Sequence, residues 1–218
     1  MSKRIVIVSG GEIDSETALS ILEQPESRYI IAVDKGMEFL YQHMILPSYI
    51  VGDFDSVNAE VADYYRNETA VPIREFNPIK DASDTEIAIR MAITLGATEL
   101  IILGATGGRL DHLWANVQSL SIPHKAGVDA KIVDQQNRIS IIDSKVVLKR
   151  EDAYGPYFSI FPLGQDVLGV TIKGAKYPLR NHTITPHDSL CVSNQFEEDE
   201  VEIDFLSGEI ILMETRDK

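Results

Sequence analysis

One cysteine in 218 residues is too few for an internal disulfide, so Cys191 staples nothing and gives no sign of an oxidising compartment. Its place in an apolar alternation predicts a buried, inert thiol. Positive charge is scarce as well: 20 Lys and Arg stand against 34 Asp and Glu, a net charge of −14. That balance excludes a nucleic-acid or anionic-membrane surface, each of which needs clustered cations. Long hydrophobic runs are missing too. The amino-terminal Ile5-Val-Ile-Val8 is too short for a signal peptide or a membrane span, so a cytoplasmic protein with no membrane partner is expected. Several common site patterns are absent. No Gly-Lys-Ser/Thr ends a strand, no G-x-G-x-x-G opens a helix, and there is no nucleophile elbow. The five histidines, at 43, 112, 124, 182 and 187, lack zinc-ligand spacing.

What is present is a change of pattern near residue 138. Before it, short β-branched runs alternate with helical periodicity. The strands expected are Arg4–Val8, Tyr29–Val33, Ser48–Val51, Val71–Phe76, Glu99–Leu103 and Ala130–Asp134, with helices between them at Glu16–Gln24, Glu38–Met44, Asn58–Arg66, Asp84–Leu95 and Asp111–Ile122. Such alternation means βαβ units and a mainly parallel sheet. Ser83-Asp84-Thr85-Glu86 has the form of a capping box, and Ile87, Met91 and Leu95 recur on one face of the helix it opens. After residue 138 only short extended segments follow, separated by turn residues, including Lys176–Leu179 and Ser189–Val192. The expectation is therefore an α/β domain over 1–137 and an all-β sandwich over 138–218.

In an open parallel sheet, ligands bind outside the carboxyl ends of the strands. Every polar loop of interest falls on that edge. Ser9-Gly10-Gly11 follows the first strand, Asp34-Lys35-Gly36 the second and Gly52-Asp53-Phe54-Asp55-Ser56 the third. Lys80-Asp81-Ala-Ser83-Asp84 follows the fourth, and Gly104-Ala-Thr106-Gly107-Gly108-Arg109-Leu-Asp111-His112 the fifth. Asp53 and Asp55, one residue apart, would face the same way in an extended loop and hold a hard cation between them. Aspartates gathered on one rim repel unless a cation neutralises them, and Mg²⁺ is the usual partner when the ligand also brings phosphates. Gly107 and Gly108 let backbone approach such a ligand ahead of a helix start, and Arg109 offers a fork of donors to phosphate oxygens.

In this order, Gly52-Asp-Phe-Asp-Ser56, Lys80-Asp81-x-Ser83-Asp84 and Gly107-Gly-Arg-x-Asp-His112 resemble the signature of the thiamine pyrophosphokinases. Asp34-Lys-Gly36 is similar to that family's Asp-Gly-Gly, with Lys35 as a departure. The segments Gly169–Leu179 and Val192-Ser-Asn194 are similar to its β-domain. The resemblance implies an α/β domain followed by a β-sandwich, in a homodimer whose active sites are shared between subunits. It also implies transfer of the pyrophosphoryl group of ATP to thiamine with Mg²⁺, giving thiamine diphosphate and AMP. By the same match Asp53, Asp55 and Asp84 would hold the metal and the transferred group. Asp34, Gly36, Lys80, Asp81, Gly107, Gly108, Arg109 and His112 would sit with the nucleotide, beside Asp111, and Ser193 and Asn194 with thiamine. Either Asp84 or Asp111 would accept the alcohol proton. Cys191 and Gln195 replace residues many members carry around Ser193-Asn194, and no aromatic stands in Gly208–Met213 to stack on thiamine. The rival readings are another Mg²⁺-dependent nucleotide-processing enzyme and a non-catalytic nucleotide or cation module.

Overall fold

Six parallel strands carry the first half of the chain. They are β1 (Arg4–Val8), β2 (Tyr29–Val33), β3 (Tyr49–Gly52), β4 (Ile73–Glu75), β5 (Glu99–Leu103) and β6 (Asp129–Val133). Their spatial order is β6-β5-β1-β2-β3-β4, and every neighbouring pair is parallel. The structure is a computed structural model that describes residues 3–55, 57–75 and 82–218. It divides into two compact units, 1–135 and 136–218.

The helices of the first unit are α1 (Ser15–Leu22), α2 (Gly36–Gln42), α3 (Ala59–Asn67), α4 (Asp84–Thr94), α5 (Leu110–Ser119) and α6 (Ser121–Lys125). Covered strands of a parallel sheet read as unbroken apolar runs, and Ile5 to Val8 are fully buried. Helix α4 lies over β1, β2 and β3. Its buried face is Thr85, Ala88, Ile89 and Ala92, not the expected Ile87, Met91 and Leu95, which are only half-buried. Small alanines let the helix sit close to the sheet, so the larger side chains fall to its flank. The single helix expected over Asp111–Ile122 is two, broken at Leu120. Pro123 cannot donate the backbone hydrogen bond that an unbroken helix would require of it.

The chain runs outward through β1, β2, β3 and β4, then returns to place β5 on the other side of β1. Connections from β1 and β5 therefore leave in opposite directions, which opens a crevice at their carboxyl ends.

The second unit is two antiparallel sheets. One has the order β12-β9-β14-β7 and contains Asn194–Gln195, Tyr157–Pro162, Ile210–Thr215 and Asn137–Ile142. The other has the order β11-β10-β13-β8 and contains Leu179–Ile184, Val167–Lys173, Glu200–Asp204 and Val146–Lys149. Phe158, Ile160, Ile210 and Leu212 of the first sheet share one core with Val170, Ile172, Val201 and Ile203 of the second, so the unit is a sandwich. Two expected strands are misplaced. Pairing begins at Leu179, not Lys176, because Pro178 has no N–H to give a ladder. Ser189–Val192 is a turn, whose Cys191 carbonyl accepts from the Ile160 N–H at 3.1 Å. Burial pushes the Cys191 thiol up to about 11, as suits an inert core residue.

Among the described residues no helix is long and apolar enough to cross a membrane. The largest buried polar commitment in the sandwich is Glu214, which accepts from Arg138 Nε at 2.7 Å and from a terminal nitrogen at 2.6 Å. Arg138 also donates to the Asp152 carbonyl and stands over the Tyr154 ring. Glu214→Ala strands that guanidinium and should cost about 3 kcal/mol in urea unfolding. The pair Arg138→Met with Glu214→Leu should recover most of the loss, because a buried ion pair gains little over apolar contacts of similar volume.

Candidate active site

The carboxyl edge of the parallel sheet is built loop on loop. Gly11 N–H donates to the Gly104 carbonyl at 2.8 Å, joining the turns after β1 and β5. A Cβ on Gly11 would lie 2.5 Å from Gly104 O and 2.6 Å from Thr106 O, and one on Gly104 would lie 2.3 Å from Ser9 O. Only glycine allows backbones this close. Next along, a Cβ on Gly36 would stand 1.9 Å from Val8 O, so the turn after β2 is pressed onto the end of β1. The place a Cβ would take on Gly52 is 2.1 Å from Asp34 Oδ1, so the carboxylate of Asp34 lies directly over the start of the third loop. The Ser9 and Thr85 hydroxyls meet at 3.0 Å, both buried, and fix the first turn of α4 to the end of β1. Thr106 Oγ1 donates to Asp134 at 2.6 Å, tying in the end of β6.

Asp34, Asp53, Asp55, Asp84, Arg109 and Asp111 are thus brought to one edge by topology, each on a loop or helix start that follows a strand. Ser83 caps α4 by accepting from the Glu86 N–H at 3.2 Å, which sets Asp84 at its first position. The reciprocal half of the capping box is not made, because Glu86 turns to Arg90 at 2.9 Å. The third loop is a tight turn. Phe54 has φ +60 and buries its ring, with the Arg66 guanidinium 5.5 Å away, and the Asp55 N–H folds back onto Asp53 Oδ1 at 3.3 Å. Among the described residues no three His, Cys, Asp or Glu side chains are grouped to hold a metal ion, so Asp53, Asp55 and Asp84 form no ready-made cage. Lys80 and Asp81 lie outside the described residues.

Gly107 and Gly108 take φ of +80 and +61, and the Glu12 side chain fills the space beside Gly107, where a Cβ would meet it at 2.7 Å. Arg109 follows them, and its fork is closed on Asp111, Nε to Oδ1 at 3.1 Å and a terminal nitrogen to Oδ2 at 2.6 Å, with both side chains exposed. The guanidinium holds the Asp111 carboxyl down to about 2. His112 enters through its backbone N–H, which donates to Asp111 Oδ1 at 3.0 Å.

In the second unit the expected Ser193 and Asn194 have different surroundings. Ser193 is exposed, with φ +58, and its N–H donates to Ser159 Oγ at 3.0 Å. Asn194 is buried, and its carboxamide accepts from the Tyr177 N–H at 3.0 Å and donates to the Tyr177 carbonyl at 2.8 Å. Its side chain is occupied in holding Tyr177, a residue that is 57% exposed. No sequence pattern announced that link, since 17 residues separate the partners.

A parallel sheet with an acidic rim at its switch point, a glycine turn running into a helix and an arginine beside it defines an enzyme domain of the phosphate-handling α/β class, here joined to a β-sandwich. Residues 22–132 match the family described as thiamin pyrophosphokinase, catalytic domain, and residues 143–210 match thiamin pyrophosphokinase, vitamin B1 binding domain. A thiamine pyrophosphokinase of Bacillus subtilis is 31% identical over 216 residues, which cover 99% of this chain and all of the relative. The crystal structure of the Bacillus subtilis thiamine pyrophosphokinase superposes with a TM-score of 0.89 at 29% identity, over 99% of this chain and all of that one. The yeast thiamin pyrophosphokinase shares the fold, with a TM-score of 0.83 at 18% identity over 99% of this chain and 87% of the yeast chain. The chain belongs to the thiamin pyrophosphokinase family.

The Arg109–Asp111 fork makes a pH prediction. A depressed carboxylate favours the paired state above its ordinary value near 3.8, and the pairing is lost as pH falls through about 2. Carboxyl NMR should place the Asp111 midpoint near that lower value, and Arg109→Gln should return it toward the ordinary range. A midpoint unmoved by the substitution would show that the fork does not set it.

Proposed function

We propose that this chain transfers the pyrophosphoryl group of ATP to the hydroxyl of thiamine, giving thiamine diphosphate and AMP, with Mg²⁺ and as a cytoplasmic homodimer with shared active sites. The observation that supports it most is the rim itself: carboxylates and an arginine assembled at the switch point by glycines that admit no side chain. Transfer of a phosphoryl-type group asks the protein for positioning and charge stabilisation more than for covalent chemistry.

The donor set is made of carboxylate oxygens, which suits a hard cation, and Mg²⁺ commonly takes one or two carboxylates and completes its shell with phosphate oxygens and water. Asp53 and Asp55 would hold it, with Asp84 facing the same ligand. When bound, the metal neutralises phosphate charge and orients the reacting group. Either Asp84 or Asp111 would take the alcohol proton, Asp111 only once Arg109 no longer grips it. Arg109 exchanges its fork from Asp111 to phosphate oxygens when the nucleotide arrives. The excess of acidic residues favours approach of the thiazolium cation. Leu110 and Trp114, four residues apart on α5, are 78% and 51% exposed beside this site, an apolar pair suited to cover by a second copy.

Incubation with ATP, Mg²⁺ and thiamine should yield AMP in step with thiamine diphosphate, and chelation of the metal should abolish both. Formation of ADP, or of AMP equally well without thiamine, would favour a different nucleotide-processing enzyme. Asp84→Asn should lower turnover about a hundredfold while ATP still binds. A non-catalytic module would show altered binding with no turnover to lose.

A further inference from the structure

Lys35 has no task in the scheme above, although it stands in the middle of the rim. Its neighbours are constrained: Asp34 has φ +47, and Gly36 could not carry a Cβ against Val8 O. Residue 35 itself has φ −59 and ψ −15, ordinary right-handed backbone that any side chain can adopt. Where the resemblance aligns this stretch with Asp-Gly-Gly, the middle glycine is therefore not required by the backbone, and the lysine adds a cation at no conformational cost.

The root of that side chain is well defined. A Cβ on Gly10 would lie 3.2 Å from the Cβ of Lys35, so the lysine stem rises beside the turn after β1, one residue from the Gly11–Gly104 contact that closes the switch point. Lys35 is exposed, and its ammonium makes no hydrogen bond or ion pair with any described residue. Among the described residues, Arg109 is engaged by Asp111 and Arg66 by Glu75. A flexible, unpaired ammonium on the loop after β2 is available to an anion, and a polyphosphate in the crevice is the anion such a rim would receive.

We propose that Lys35 is a phosphate-binding residue of this chain, a point charge at the β1–β2 side of the crevice that meets the ATP polyphosphate opposite Arg109. The proposal rests on the pyrophosphokinase reading for the identity of the ligand. It assigns a contact that a glycine at this position could not make.

The test is titration of ATP with Mg²⁺ into the full-length protein and into Lys35→Gln, Lys35→Gly and Lys35→Arg, at low and moderate salt. Loss of one charge-assisted contact should weaken binding about tenfold in the Gln and Gly variants and flatten the salt dependence, with Arg restoring most of both. Affinities within about twofold of the parent, with unchanged salt dependence, would overturn the assignment, since tenfold corresponds to one such contact. A parent that binds no ATP would overturn it as well. Thiamine-dependent AMP formation by the parent is scored separately. Its absence, alongside weakened ATP binding in Lys35→Gln, would reject the pyrophosphokinase reading and leave Lys35 as an anion contact.

Discussion

The site depends on two backbones lying closer than any side chain permits. The Gly11 N–H reaches the Gly104 carbonyl at 2.8 Å, with no room for a Cβ on either residue. Through that contact the turns after β1 and β5, adjacent in space and 93 residues apart in sequence, become one surface. Gly36 repeats the device against Val8 and carries Asp34 over Gly52. Each close approach sets where the next carboxylate stands, so the acidic rim is a consequence of packing between loops and not of any one motif.

Electrostatics then explains why such a rim persists. Carboxylates gathered on one edge are unfavourable together unless countercharge is supplied. The protein supplies some of it: Arg109 closes on Asp111 within the same turn, and backbone N–H groups serve Asp53 and Asp111. Both side chains of the Arg109–Asp111 pair are exposed, so solvent weakens it and a polyphosphate can displace one partner. The sandwich follows the opposite rule. Glu214 is buried and Arg138 half-buried, and the guanidinium is held by Glu214 and by the Asp152 carbonyl, which makes the pair structural.

The family relation fits this division. The matched catalytic segment, 22–132, runs from β2 into β6 and holds the loops from Asp34 to Asp111, while the matched vitamin B1 segment, 143–210, lies within the sandwich. In that second segment Asn194, one of the two residues drawn from sequence, clamps the backbone of Tyr177. A buried carboxamide that satisfies both polar groups of another residue holds a loop in shape, and the ring it positions is left facing solvent.

Much was legible in the sequence because the physics is local. Apolar runs between turn residues marked β1, β2, β5 and β6 with few errors, and Ser83 declared the start of α4 through its own cap. The order of the loops also showed that Asp53, Asp84 and Asp111 follow strands, and parallel pairing puts such residues on one edge. What the sequence could not decide depends on burial and on which of several hydrogen bonds forms. Phe54 bends the Asp53–Asp55 turn because its ring is buried, Arg109 closes on Asp111, and the packed face of α4 follows the small alanines. Spacing records which groups are near in sequence, whereas burial and competition for hydrogen bonds settle where each side chain points. Only the tertiary structure contains that competition.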